Sequence, residues 1–143
     1  MKIASILLVD DEVQFVETMT KRLNKRDFEV SSAHSGTQAL EELKKSSQIE
    51  VVLLDVKMPE MDGIEALRRI KADFPLVEVI MLTGHATVES AIEGMKLGAF
   101  DYLMKPCDID ILVAKVKDAT TKKRSHENKI VDARVKEIIG RRA

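Results

Sequence analysis

Residues 51–55 read Val51-Val52-Leu53-Leu54-Asp55, an apolar run of strand length that ends at a carboxylate. A strand that is apolar on both faces is typical of a parallel sheet covered by helices on both sides. The second run along the chain, Phe28–Ser32, is the least apolar of the five, so we expect it near an edge of the sheet. The other runs of strand length are Ala4–Val9, Phe28–Ser32, Val77–Leu82 and Phe100–Met104.

Segments with helical spacing of apolar residues separate these runs. Ser35 and Asp108 are predicted N-caps of the second and fifth helices, and Gly98 is predicted to end the fourth. Strands that alternate with helices form right-handed βαβ units around a parallel sheet. The sequence therefore predicts a three-layer α/β/α sandwich of the flavodoxin-like kind, for which strand order 2-1-3-4-5 is common.

The composition predicts one soluble domain and excludes several classes of function. The chain has 143 residues and a formal net charge of -1, so its overall charge favours neither nucleic acid nor acidic lipid as a partner. Its single cysteine, Cys107, excludes a disulfide framework and suits a reducing cytoplasm. The apolar N-terminus is too short to span a membrane, and we expect a cytoplasmic protein.

The C-terminal part differs from the rest of the chain. From Thr120 onward there are eight Lys or Arg residues against three Asp or Glu. Val131, Val135 and Ile138 recur at helical spacing. This segment is either an extension of the fifth helix or a separate amphipathic helix. We predict a domain at residues 1–120 and a helical extension or linker at residues 121–143.

Chemically active side chains follow four of the predicted strands. Asp10 and Asp11 follow the first strand, Asp55 the third, Thr83 the fourth and Lys105 the fifth. Taken singly, each could be a helix cap, a loop carboxylate or a solvated lysine. Because the carboxyl ends of parallel strands meet at one edge, the carboxylates would repel each other unless a cation lay among them. Oxygen ligands favour Mg²⁺ over Zn²⁺ or copper, and a carboxylate beside Mg²⁺ can attack phosphorus.

These residues lie in four ordered motifs that resemble the response-regulator receiver family of two-component signalling, whose fold is that of the chemotaxis regulators. The resemblance covers roughly residues 4–118. The motifs are Leu8-Val9-Asp10-Asp11-Glu12, Leu54-Asp55-Val56-Lys57-Met58-Pro59-Glu60-Met61-Asp62-Gly63, Met81-Leu82-Thr83-Gly84-His85 and Gly98-Ala99-Phe100-Asp101-Tyr102-Leu103-Met104-Lys105-Pro106.

The resemblance implies a role for each motif residue. Asp55 would accept the phosphoryl group, and Mg²⁺ would be held by Asp10, Asp11, Asp55 and the backbone carbonyl of Lys57. Thr83 and Lys105 would bind phosphoryl oxygens. Tyr102 would be the aromatic switch that follows Thr83, although a half-buried tyrosine with a solvated hydroxyl is the alternative. Lys57, Gly84 and His85 would tune the phosphate lifetime, and Pro59, Gly63 and a cis peptide at Lys105-Pro106 would shape the loops.

The resemblance also implies partners. A sensor histidine kinase or a phosphotransfer protein would phosphorylate Asp55, and the surface of the fourth helix, fifth strand and fifth helix would then engage a downstream protein or a second copy. The domain would assist its own phosphorylation and dephosphorylation rather than act as an enzyme on other substrates. The alternatives are a receiver cut from a larger transcriptional regulator and a phosphorylation-independent interaction module.

Two other classes of protein fit the sequence less well. A flavin or nucleotide binder needs glycines or hydroxyls around phosphate after the first strand, where this chain has Asp10-Asp11-Glu12. A haloacid-dehalogenase-type phosphatase separates its two aspartates by one residue, and here they are adjacent. His34 and His126 receive no predicted role, and Cys107 is predicted to pack at the start of the fifth helix rather than act in redox chemistry.

Overall fold

The computed structural model describes residues 1–142, in which five strands alternate with five helices. The strands are β1 (Ser5–Val9), β2 (Glu29–Ala33), β3 (Val51–Leu54), β4 (Glu78–Thr83) and β5 (Asp101–Met104). The helices are α1 (Val13–Asn24), α2 (Gly36–Lys45), α3 (Gly63–Asp73), α4 (Val88–Lys96) and α5 (Ile109–Arg142).

The five strands form one parallel sheet in the order β2-β1-β3-β4-β5. The predicted fold class and strand order are thus confirmed, as is the edge position of β2. Each predicted strand boundary lies within one residue of the observed one. The order places β1 and β3 side by side at the centre, so the residues that follow these two strands are neighbours.

Hydrophobic side chains pack on both faces of the sheet, which explains why β3 has no polar alternation. Val52 and Leu54 point toward α2 and α3, whereas Val51 and Leu53 point toward α1 and α5. All four are fully buried, and burying one such side chain stabilises a fold by about 1.5–3 kcal/mol. The two layers hold β3, and therefore the start of the loop after it, in a fixed position.

The predicted helix ends are confirmed. The Ser35 hydroxyl accepts a hydrogen bond from the Gln38 N–H at the start of α2. The Asp108 carboxylate accepts one from the Asp110 N–H at 2.8 Å before α5. Gly98 follows α4 with a φ of 102°, a conformation that glycine adopts without steric cost.

The C-terminal segment continues α5 without a break, so it is an extension of the fifth helix rather than a separate one. Arg124 anchors the extension by a bidentate contact with Glu50 at 2.8 and 2.9 Å and by a hydrogen bond to the Ile3 carbonyl at 3.0 Å. Ala143 lies outside the described residues. The extension exposes the apolar residues Ile130, Val131, Val135, Ile138 and Ile139. Within residues 1–142, no helix combines the length and apolar character needed to cross a lipid bilayer.

Candidate functional site

The carboxyl edge of the sheet carries the five side chains predicted to form the site, which end or follow four of its strands: Asp10, Asp11, Asp55, Thr83 and Lys105. Backbone hydrogen bonds extend the sheet one residue past the strands, from the Asp55 N–H to the Val9 carbonyl at 3.0 Å and from the Lys105 N–H to the Thr83 carbonyl at 2.8 Å. Because the backbone is held at these points, Asp55, Thr83 and Lys105 project from a rigid base.

Asp10, Asp11 and Asp55 form an acidic cluster in which one carboxylate oxygen from each lies within 4.8 Å of the others. Asp10 and Asp55 are each only 1% exposed, whereas Asp11 is open to solvent. The Asp55 Oδ1 atom is buried and has no hydrogen-bond partner among the described residues. An unpaired buried carboxylate oxygen is costly, and oxygen donors alone are the set that Mg²⁺ prefers. The cluster therefore fits a magnesium ion.

Lys105 supplies the positive charge of the site. Its ammonium lies 2.5 Å from Asp10 Oδ2, 3.6 Å from Glu12 Oε1 and 3.9 Å from the centre of the Phe15 ring. Burial lowers the pKa of this ammonium, but the hydrogen bond to Asp10 and the negative charges of Asp10, Asp55 and Glu12 outweigh burial, so the pKa is raised. Lys105 is therefore charged at neutral pH, and its ammonium faces the acidic cluster.

Asp10 is held by the chain on both sides. The Glu12 N–H donates a hydrogen bond to Asp10 Oδ1 at 2.9 Å, and Nδ1 of His34 lies 3.1 Å from the Asp10 carbonyl oxygen. Burial raises the pKa of the Asp10 carboxyl, and the charge of Asp55 adds to this, although the contacts with Lys105 and Glu12 oppose it. The N-cap position of α1 is occupied by Glu12, whose side chain makes no capping hydrogen bond. Among the described residues, Asp10 is therefore not the N-cap of α1.

The loop after β3 folds back against Asp55. The Gly63 N–H donates a hydrogen bond to the Val56 carbonyl at 2.6 Å, and Asp62 caps α3 through the Glu65 N–H. A Cβ atom on Gly63 would lie 2.0 Å from the Asp55 carbonyl oxygen, so only glycine fits there. Gly63 thus allows the close approach of the Asp55 and Val56 backbone.

A cleft of about 490 Å³ opens beside the acidic cluster. Asp11 and Glu12 line one part of it, and Lys57, Pro59 and His85 are also in its wall. The predicted tuning residues Lys57 and His85 therefore lie at the same opening. A Cβ on Gly84 would meet no heavy atom within 4 Å, so the local packing does not by itself require glycine at that position.

The hydroxyl groups of Thr83 and Tyr102 form hydrogen bonds with different partners. Thr83 is fully buried, and its hydroxyl accepts a hydrogen bond from the His85 N–H at 3.0 Å. Tyr102 is half-buried on β5, and its hydroxyl lies 2.7 Å from the Ser90 hydroxyl on α4. The hydroxyl of Tyr102 therefore has a hydrogen-bond partner on α4.

The Lys105-Pro106 peptide is cis, as the resemblance implies. The next residue, Cys107, packs against the core layer that contains α1 and α5. Burial raises the pKa of the Cys107 thiol, and the nearby Asp108 charge adds to the effect. A raised thiol pKa disfavours the reactive thiolate, which agrees with a packing role.

The sequence interpretation missed three residues that contact the site. Phe15 lies under the Lys105 ammonium, His34 contacts the Asp10 carbonyl and Ser90 contacts Tyr102. One local signal was available for Ser90, because Thr87 and Ser90 have the spacing of a capping box. The contacts of Phe15 and His34 join distant parts of the chain and leave no local pattern.

Known proteins resemble this chain in sequence and in structure. The response regulator receiver domain family matches residues 6–117. The transcriptional regulatory protein ZraR of Escherichia coli K12 is 42% identical over 114 residues, which are 80% of this chain and 26% of that protein. A putative NtrX-like response regulator of Rickettsia bellii is 36% identical over 140 residues, covering 92% of this chain and 29% of that protein.

Solved structures show the same similarity. A response regulator receiver domain protein from Clostridium thermocellum aligns with a TM-score of 0.81 and 37% identity, covering 85% of this chain and 98% of that one. NtrX of Brucella abortus, solved in complex with ADP, aligns with a TM-score of 0.80 and 29% identity, covering 94% of this chain and 29% of that one. The chain thus spans less than a third of the curated relatives named above. From its motifs, its sheet topology and these matches, the chain belongs to the response regulator receiver domain family of two-component systems.

Proposed function

We propose that Asp55 accepts a phosphoryl group in a Mg²⁺-dependent reaction with a phosphohistidine, presented by a sensor histidine kinase or a phosphotransfer protein. The observation that carries this proposal is the buried Asp55 Oδ1 atom of the acidic cluster, which has no hydrogen-bond partner in the part of the chain that the structure describes. The Lys105 ammonium faces the same cluster through Asp10. The proposed nucleophile, the proposed metal ligands and the Lys105 ammonium thus lie at one edge of the sheet, which supports the proposal.

Asp10, Asp11, Asp55 and the backbone carbonyl of Lys57 would hold the magnesium ion. When bound, Mg²⁺ would neutralise negative charge on the phosphoryl oxygens. The chain itself supplies the rigid placement of these ligands, since Asp10 is tied by the Glu12 N–H and Asp55 by the Val9 carbonyl. Preorganised ligands lose little entropy when charge develops in the site.

In the transfer step, a carboxylate oxygen of Asp55 attacks phosphorus in line with the nitrogen of the phosphohistidine. The O–P bond forms as the N–P bond breaks, and the electron pair of that bond returns to the imidazole. Lys105 moves from Asp10 toward the transferred group and stabilises its charge. The cleft at Lys57 and His85 gives the donor, and later the hydrolytic water, access to Asp55. Lys57, Gly84 and His85 would set the lifetime of the phosphorylated form.

The phosphoryl group carries about -1.5 to -2 units of charge in place of the single negative charge of the Asp55 carboxylate, and it draws the Thr83 hydroxyl toward it. Tyr102 follows Thr83, and the surface formed by α4, β5 and α5 changes as a shift between two populations. This surface already exposes apolar side chains that suit a downstream protein or a second copy. They are Val88, Ile92 and Met95 on α4, Met104 on β5 and Ile111 on α5.

We also propose that residues 1–120 are the switch and that residues 121–143 are a helical extension or a linker. The anchoring of Arg124 by Glu50 and Ile3 supports a fixed direction for the extension. The chain covers 26% of ZraR, a protein named as a transcriptional regulator. That relationship supports a role of the extension in passing the signal to an output unit.

Intact-mass spectrometry after incubation with phosphoramidate, with and without Mg²⁺, tests the proposal. We expect one phosphoryl adduct that requires Mg²⁺ and that hydroxylamine removes, because an acyl phosphate is sensitive to this nucleophile. Peptide mapping should place the adduct on Asp55. A folded protein that forms no adduct with Mg²⁺ present would contradict the proposal and favour a phosphorylation-independent interaction module.

Replacing Lys105 by methionine should affect phosphorylation and metal binding in opposite directions. Phosphorylation should slow by about 10- to 100-fold, because the transferred group loses its fixed cation. Mg²⁺ should bind about 3- to 10-fold more tightly, because the ammonium 2.5 Å from Asp10 no longer competes for that carboxylate. Titration calorimetry and adduct formation measure the two effects.

Lys44→Met is the matched control for Lys105→Met, since Lys44 is exposed near the end of α2 and the variant loses the same charge. It should leave both quantities near their wild-type values. Weaker Mg²⁺ binding by Lys105→Met than by the control would contradict the assignment of Lys105 as a competitor for the metal ligands.

A further inference from the structure

The side chain of Tyr102 is attached to the N-terminal turn of α4 by a hydrogen bond. Its hydroxyl lies 2.7 Å from Ser90 Oγ. Ser90 is the third residue of α4 and belongs to the capping box with Thr87, in which the Ser90 N–H donates to the Thr87 hydroxyl and the Thr87 N–H donates to the Ser90 hydroxyl. The hydroxyl that partners Tyr102 is therefore also part of a helix cap.

Ser90 Oγ lies among several hydrogen-bonding groups of Thr87. It is 3.1 Å from the Thr87 carbonyl oxygen, to which it can donate its one proton. The Thr87 N–H at 3.2 Å and the Thr87 hydroxyl at 2.9 Å can both donate to it. The contact with the Tyr102 hydroxyl at 2.7 Å is the shortest of the four, and departure of Tyr102 would remove it.

The Tyr102 ring lies along the face of α4 that carries Ser90. A Cβ atom on Gly94, one helical turn after Ser90, would be 3.7 Å from Tyr102 Cδ2, so the ring passes close to this glycine. A cavity of about 310 Å³ adjoins the ring. Its lining includes Ala86 and Thr87 from the segment between Thr83 and α4. Open space next to the ring therefore extends to that segment.

We propose that Ser90 is the positioning residue that sets the balance between two positions of Tyr102. The Ser90 hydrogen bond stabilises the position described here, and it is lost when Tyr102 follows Thr83. This inference rests on the proposed function, because it concerns the energy of the same switch. By linkage, an interaction that stabilises the position at Ser90 weakens binding of a phosphoryl group at Asp55, at most by the factor that it contributes to the balance between the two positions.

The test measures binding of beryllofluoride, a phosphoryl analogue, in the presence of Mg²⁺. Ser90→Ala should bind it about 3- to 10-fold more tightly than wild type, the range that one hydrogen bond accounts for. Ser90→Thr keeps the hydroxyl and should restore wild-type affinity. Thr87→Ala removes the helix cap and the contact of the Thr87 hydroxyl with Ser90 Oγ, but it keeps the Ser90–Tyr102 hydrogen bond. It should therefore lower stability without the increase in affinity expected for Ser90→Ala.

A double-mutant cycle separates a positioning role from a purely structural one. In a Tyr102→Phe background, measured by calorimetry, Ser90→Ala should have no further effect on beryllofluoride affinity. An effect of unchanged size in that background would show that Ser90 acts only through the helix cap and would overturn the inference. Equal affinities of Ser90→Ala and wild type would overturn it as well.

A second readout does not depend on phosphorylation chemistry. Tyr102 is the only tyrosine and the chain has no tryptophan, so tyrosine fluorescence reports on this residue alone. Acrylamide should quench Tyr102 at least about twofold more efficiently in Ser90→Ala than in wild type, because the ring leaves its position on α4 more often. If wild type fails to bind beryllofluoride, the proposed function fails, and the quenching result still decides the inference, since equal quenching overturns it.

Discussion

Asp55→Asn is expected to abolish the phosphoryl adduct and, at the same time, to stabilise the protein in the absence of Mg²⁺. The amide keeps the volume of the side chain but removes the nucleophilic carboxylate, so adduct formation should fall by at least about 100-fold. Removing one negative charge from the acidic cluster relieves the repulsion between Asp55 and Asp10, which are both buried. We expect a gain of about 1–2 kcal/mol in the free energy of unfolding.

The two effects are measured by intact-mass spectrometry and by urea denaturation with and without Mg²⁺. Mg²⁺ should stabilise wild type more than the variant, because the variant has lost one metal ligand. Asp73→Asn is the control, since Asp73 ends α3 at an exposed position and the same charge is lost there. A phosphoryl adduct of wild-type yield on Asp55→Asn would show that another residue is the acceptor.

Among substitutions that add one methyl group at the site, Gly63→Ala is expected to lower the free energy of unfolding most. The added Cβ would lie 2.0 Å from the Asp55 carbonyl oxygen and 2.7 Å from Val56 Cα, and both are backbone atoms that cannot rotate away. The loop after β3 would have to shift, and its hydrogen bond from the Gly63 N–H to the Val56 carbonyl would lengthen. We expect a loss of about 3 kcal/mol or more in the free energy of unfolding.

Urea denaturation of Gly63→Ala and Gly84→Ala provides the comparison. A Cβ on Gly84 meets nothing within 4 Å, so that variant should stay within about 0.5 kcal/mol of wild type. Folded Gly63→Ala should also form the adduct more slowly, since the Asp55 backbone is displaced. Equal stability of the two variants would mean that the loop after β3 relaxes freely around the added methyl group.

Much of the fold followed from local patterns in the sequence. Apolar runs without alternation, such as Val51–Leu54, indicated strands buried on both faces. The N-cap residues Ser35 and Asp108 marked the starts of two helices, and Gly98 marked the end of a third. The strand order was predicted from the common solution for this topology rather than from any residue. Whether the C-terminal segment extends the fifth helix was not predicted, because its apolar spacing suits a continuous helix and a separate helix equally well.

The order of residues along the chain was enough to predict which chemical groups meet at one edge, because a parallel sheet brings the carboxyl ends of its strands together whatever the details of packing. The residue order alone therefore predicted that Asp10, Asp55 and Lys105 lie close together. The folded chain had to be seen to establish that Asp55 Oδ1 has no hydrogen-bond partner within the described residues, that Phe15 underlies Lys105 and that Ser90 contacts Tyr102. These contacts depend on how helices α1 and α4 lie against the sheet, and packing over such distances is set by the whole core rather than by neighbouring residues.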